Sequence, residues 1–111
     1  FPEDMIRKFK KARDMKGGSR FLHVFATCPT GWRIGSELSV KIARLAVQTN
    51  VFPLYEVEDG ISYTLNYKGD LHVKEYLELQ GRFKHLKPSD IDQVQHMVDA
   101  DWTLLQKKAG A

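Results

Sequence analysis

The run RFLHVFA, residues 20–26, limits the fold of this chain more than any other stretch. It is short and apolar, with Gly17 and Gly18 before it and Pro29 after it. That pattern predicts a buried strand, of the kind covered on both faces in a parallel sheet. A helical pattern follows. In SELSVKIARLAVQTN, Leu38, Ile42 and Leu45 recur at helical spacing, and Val40, Ala43 and Val47 widen the stripe. Ser36 is placed to cap that helix, and Glu37 suits its first turn. Strand, loop and helix in this order are half of a βαβ unit, so the fold class is α/β. The whole length, 1–111, reads as a single segment with one core.

The flanking pieces are also legible. FPEDMIRKFKKARDMKGG predicts a helix. Pro2, Glu3 and Asp4 suit its first turn, and Met5, Phe9 and Ala12 share a face. Glu3–Arg7 and Asp4–Lys8 are i,i+4 pairs in the favourable order, and Gly17 and Gly18 stop the helix. VFPLYEVEDGISYTLNY predicts a hairpin around Asp59-Gly60, with Ile61, Tyr63, Leu65 and Tyr67 on one face. Pro53 lacks an N–H and places this hairpin at an edge. HVKEYLELQGRFKHL predicts a short helix ending at Gly81. Pro88 and Ser89 open a last helix, with Ser89 and Asp92 spaced as a capping box. Its apolar stripe is Val94, Val98 and Leu105, flanked by Ile91, Met97 and Trp102.

Charge is uneven. Residues 1–20 hold seven Lys/Arg against three Asp/Glu, while the rest hold ten against eleven. A basic first helix admits a nucleic-acid-binding or interaction module with no catalysis as an alternative function. A solvated helix face explains the same charge more simply. EVED, residues 56–59, reads as a solvated hairpin end. No stretch approaches the roughly 20 apolar residues of a membrane span, so no membrane partner is expected.

Most catalytic signatures are missing. There is no phosphate-binding loop, dinucleotide glycine fingerprint or nucleophile elbow. His23, His72, His85 and His96 form no zinc pattern, and His23 reads as a packed, hydrogen-bonded histidine. What remains is Cys28, the chain's one cysteine, in ATCPTGWRIG. One thiol makes no internal disulfide and holds no metal alone, and its solitude fits a reducing compartment. Loops at the carboxyl ends of strands are where α/β proteins bind ligands. Pro29 removes a donor, whereas Thr30 and Gly31 offer backbone N–H groups near the sulfur. Such donors stabilise a thiolate and tune an iron–sulfur cluster. A small buried hydrophobe is the competing reading of Cys28. A thiol enzyme is another, with His23 as the base nearest in sequence.

Several segments in order carry a resemblance: Cys28-Pro29-Thr30-Gly31-Trp32, Ala43-Arg44-Leu45-Ala46-Val47, Pro53-Leu54-Tyr55-Glu56 and Leu79-Gln80-Gly81-Arg82-Phe83. Together they resemble the carboxyl-terminal part of the thiamine diphosphate-binding β subunit of 2-oxoacid:ferredoxin oxidoreductases, pyruvate:ferredoxin oxidoreductase (pyruvate synthase) in particular. The likeness spans about residues 19–90.

The resemblance implies the C-terminal portion of a thiamine diphosphate-binding α/β fold, with a buried strand, an edge hairpin and flanking helices. It implies a 4Fe–4S cluster with Cys28 as one ligand, Pro29, Thr30 and Gly31 forming the cluster loop, and three cysteines supplied from upstream. No residue of this chain is expected to be catalytic. Thiamine diphosphate and Mg²⁺ are expected on upstream residues, because the family's GDG motif is not in this chain. The implied reaction decarboxylates a 2-oxo acid to acyl-CoA and CO₂, sends electrons through 4Fe–4S clusters to ferredoxin, and runs backwards as a CO₂-fixing synthase. Coenzyme A, a 2-oxo acid, ferredoxin and the other subunits are the implied partners, nucleic acid is not, and the implied setting is the cytoplasm of anaerobic metabolism.

Overall fold

The computed structural model describes residues 1–110. The described residues hold one two-stranded sheet and five helices. The helices are α1 (Pro2–Asp14), α2 (Pro29–Trp32), α3 (Ser39–Gln48), α4 (Lys74–Leu77) and α5 (Pro88–Lys108). Strands β1 (Tyr55–Glu58) and β2 (Ser62–Leu65) pair antiparallel, with Tyr55 opposite Leu65 and Glu58 opposite Ser62. Single 3₁₀ turns occupy Ser36–Leu38 and Gly81–Phe83.

The core is built around α3. Ile42 and Ala46 are fully buried, with Leu45 and Val47 beside them. Val73, Tyr76 and Leu77 of the α4 region pack onto that face, and Ile91, Val94 and Val98 of α5 close it. The helical spacing of Ile42 and Leu45 thus buries one stripe, as an amphipathic helix should. Val40 departs from the expected stripe: it is exposed, because its side of α3 meets no other element. Met97 of α5 is exposed as well. Asn50, at φ 63°, clamps the end of α3 to the chain beyond the hairpin. Its side chain accepts from the Gly69 N–H at 2.9 Å and donates to the Gly69 carbonyl at 3.1 Å.

The hairpin forms where expected. Asp59 and Gly60 both take positive φ, and the Ile61 N–H donates to the Glu58 carbonyl at 3.1 Å. Tyr63, Leu65 and Tyr67 are half-buried, while Ile61 at the tip is exposed. Pro53 lies just outside the ladder, where its missing donor costs nothing.

EVED is solvated at Val57, Glu58 and Asp59, as expected, but not at Glu56. Glu56 is largely covered and accepts from Arg7 at 2.9 Å, Lys11 at 2.8 Å and Asn66 at 2.8 Å, and Lys11 also pairs with Glu58. Burial pushes the Glu56 carboxyl up, but the hydrogen bonds from Lys11, Arg7 and Asn66 outweigh it and hold its pKa at about 2. The basic excess of α1 is therefore partly matched within the chain. Asp4 pairs with Lys8 at 2.9 Å as expected, whereas Arg7 reaches Asp4 and Glu56 rather than Glu3. The helix stops at Asp14, where Met15 turns extended, ahead of the two glycines.

The buried strand does not form. Residues 20–26 take no regular secondary structure and pair with no strand among the described residues. Phe21 is 89% exposed, and Leu22 and Val24 are exposed too. Strand pairing needs a neighbour's N–H and C=O groups, and the one sheet described is the hairpin, which lies elsewhere. The segment is held instead by rings: His23 packs edge-on against Phe52 at 5.1 Å, and Phe25 lies 5.1 Å from Phe52 and 5.7 Å from Trp32. His23 itself is exposed and has no hydrogen bond among the described residues, unlike the packed, bonded histidine expected.

Two caps also shift. Gly35, not Ser36, precedes the turn leading into α3, and no side chain caps it. In α5 the Asp90 carboxylate accepts from the Lys87 N–H at 2.8 Å, a one-way bond at 87–90 in place of the capping box expected at Ser89–Asp92, since a lysine side chain has no acceptor to return it. Pro88 causes the shift, since it suits the first helical position and makes Lys87 the cap. The short helix before it ends at Leu77, earlier than Gly81. The radius of gyration is 15.6 Å, against about 13 Å for a compact domain near this length.

Candidate functional site

The site is the turn from Cys28 to Arg33. The carbonyl of Cys28 accepts from the Trp32 N–H at 2.8 Å, and that of Pro29 accepts from Ile34 at 3.1 Å. Pro29 occupies the first helical position, where its ring pre-sets φ. Thr30 and Gly31 then present first-turn N–H groups that have no helix carbonyl to bond. Arg33, at φ 53°, takes the left-handed conformation that ends the turn. The four residues expected at this loop, Cys28, Pro29, Thr30 and Gly31, therefore share one tight turn.

Cys28 is exposed in the described chain rather than packed among apolar side chains. A Cβ on Gly31 would sit 3.2 Å from the Cys28 sulfur, so the glycine leaves room over the thiol. The thiol has no paired base: no hydrogen bond joins it to His23 among the described residues, and the His23 ring faces Phe52. A nucleophilic cysteine needs an activating partner, so the thiol-enzyme reading loses its support. Among the described residues no three His, Cys, Asp or Glu side chains are grouped to hold a metal ion. Cys28 can supply one bond to a metal centre and no more.

A second cluster adjoins the turn, and sequence reasoning missed it. Trp32 is half-buried, with the Arg82 guanidinium 3.8 Å from its ring centroid. Phe83 flanks the same guanidinium at 4.5 Å. The Gly81 N–H donates to the Arg33 carbonyl at 3.1 Å, tying the 3₁₀ turn of Gly81–Phe83 to the cysteine turn. A Cβ on Gly81 would meet that of Arg33 at 2.5 Å, so only glycine permits the approach. The one signal in the sequence was Gln80-Gly81-Arg82, which carried the resemblance without a stated role.

No protein-family model matches the chain. Curated proteins do. The chain is 48% identical over 98% of its length to ketoisovalerate oxidoreductase subunit VorB of Pyrococcus furiosus. It is 42% identical over 95% of its length to pyruvate synthase subunit PorB of Methanocaldococcus jannaschii. It is 40% identical over 97% of its length to pyruvate synthase subunit PorB of Pyrococcus furiosus. It spans 36%, 35% and 39% of those relatives, a little over a third of each. These relatives define a class, the subunits of oxidoreductase complexes. Within that class the chain belongs to the β subunits of 2-oxoacid:ferredoxin oxidoreductases.

Proposed function

We propose that this chain is the C-terminal part of a thiamine diphosphate-dependent 2-oxoacid:ferredoxin oxidoreductase β subunit, and that Cys28 is one of four cysteine ligands to its 4Fe–4S cluster. The observation that carries the reading is the exposed thiol on a tight proline-led turn, with Gly31 leaving the sulfur uncovered. A chain with one cysteine needs three more thiolates from elsewhere in the subunit, and its relatives are nearly three times as long.

The cluster, when bound, passes single electrons; thiamine diphosphate, held with Mg²⁺ by residues outside this chain, serves as the electron sink for decarboxylation of the 2-oxo acid. The part played by this chain is to hold and to tune. Cys28 supplies a thiolate. The N–H groups of Thr30 and Gly31 stabilise negative charge on sulfur, which raises a cluster's potential. Trp32, backed by Phe25 and Arg82, limits water on one side of the turn. Segment 20–26, largely exposed and unpaired here, joins a sheet built by the remainder of the subunit. Pyruvate and ketoisovalerate are both 2-oxo acids, so the reaction proposed is oxidation of a 2-oxo acid to its acyl-CoA with ferredoxin as acceptor, reversible as CO₂ fixation.

The test is Cys28→Ser in the assembled complex. The reading expects loss of iron and of the reduced-cluster EPR signal, with subunit assembly retained by size-exclusion chromatography. Full iron content with an unchanged signal would refute it.

A further inference from the structure

Beside the cysteine turn is an open cleft of about 430 Å³, lined by Gly31, Arg33, Gly81, Arg82, Lys84 and His85. Two guanidiniums and an ammonium line it, and no carboxylate does. Every ion pair among the described residues takes its cation from α1, from Arg7, Lys8, Lys11 or Arg13. Arg33, Arg82 and Lys84 pair with no carboxylate in that set.

Arg82 is also held in place. Its Nε donates to Gln80 Oε1 at 2.8 Å, and Gln80 Nε2 donates to the Tyr76 carbonyl at 2.8 Å. Gln80 is 1% exposed. A buried glutamine is thus committed to orienting an arginine that has no counter-ion. The rings of Trp32 and Phe83 flank the guanidinium and remove part of its hydration. Ordering before binding lowers the cost of binding, and a planar guanidinium with free N–H groups matches phosphate oxygens in paired geometry. Arg33 is fixed against this arm by the Gly81 N–H, so two guanidiniums border one concavity. The cleft has the size of a small-molecule site rather than of a flat protein contact.

We infer that this cleft binds the phosphate or diphosphate group of a small molecule, with Arg33, Arg82 and Lys84 as the charged contacts. The inference stands apart from the role of Cys28, since it uses no property of the sulfur.

The test is calorimetric titration of the purified full-length protein with inorganic pyrophosphate and with phosphate at fixed ionic strength. Wild type is compared with Arg33→Ala, Lys84→Ala, Arg82→Lys and the control Lys41→Ala. The expected result is a saturable pyrophosphate site that Arg33→Ala and Lys84→Ala each weaken at least tenfold and Lys41→Ala leaves unchanged. Arg82→Lys keeps the charge but not the planar fork, so it weakens the site too, with circular dichroism reporting an intact fold. Pyrophosphate binding that is absent, or equal in all variants, would overturn the inference. So would a cleft that binds only an acidic polypeptide such as polyglutamate, in an Arg33- and Lys84-dependent way.

Discussion

The Cα of Gly31 stands so close over the Cys28 sulfur that a side-chain carbon there would lie 3.2 Å from it. This is tighter than ordinary van der Waals contact, yet only a few tenths of an ångström from acceptable. Gly31→Ala should therefore leave the turn folded, with stability changed by less than about 1 kcal/mol. Its effect should fall on the sulfur. In the assembled complex we expect the variant to retain less iron, or to shift the cluster's midpoint potential, while the denaturation midpoint stays near wild type. Redox titration beside a melting curve separates the two effects.

Gly81 is a harder constraint. A Cβ at that position meets the Arg33 Cβ at 2.5 Å and the Arg33 carbonyl oxygen at 2.9 Å. Backbone cannot yield as a flexible side chain does, so Gly81→Ala must part the two turns. The expected cost is about 1–3 kcal/mol, the usual range for overpacking. Chemical denaturation reads it directly. Pyrophosphate binding should fall with it, because the Arg33 and Arg82 arms would no longer face one cleft.

The Glu56 carboxyl ties the acidic hairpin to the basic first helix, and the link depends on pH in a defined direction. Its folded pKa, about 2, lies below the ordinary value near 4.3. Stability from this group is therefore fully present above about pH 4.5, and is lost as pH falls toward 2. The displacement is worth at most about 3 kcal/mol, and screening at this partly open site brings it nearer 2. Urea midpoints measured from pH 6 to pH 2.5 should fall more steeply for wild type than for Glu56→Gln. Parallel pH profiles for the two proteins would contradict the assignment.

Ile42 is the centre of what this chain buries by itself, with no exposed surface at all. Ile42→Ala leaves a cavity between α3 and the Val73–Leu77 segment, at a cost of about 2–4 kcal/mol. Val40→Ala, on the exposed side of the same helix, should change the denaturation midpoint little. Reversal of that order would mean the helix buries the other face.

These contrasts show what the sequence could disclose. Local signals carried the hairpin, because Asp59-Gly60 needs positive φ at both positions and few other pairs tolerate it. They carried α3 and α5, whose spacing sorts Ile42 and Val94 inward. They also placed Cys28, Pro29, Thr30 and Gly31 in one turn. Where a partner decides the outcome, local pattern was insufficient. RFLHVFA has the composition of a buried strand, but pairing is a property of neighbours, and none is present among residues 1–110. The cover that α1 gives Glu56 within EVED could not be read locally, since residues 7 and 56 are far apart in sequence. The Arg82–Trp32 stack escaped for the same reason: fifty residues separate two side chains that meet at 3.8 Å.

The central claim, iron at Cys28, is tested most directly by anomalous diffraction at the iron edge on crystals of the intact complex. The account predicts iron peaks next to this turn, the nearest one bonded to the Cys28 sulfur at roughly the 2.3 Å typical of metal–thiolate bonds. A map that places every iron atom elsewhere, with residue 28 enclosed by carbon, would contradict it.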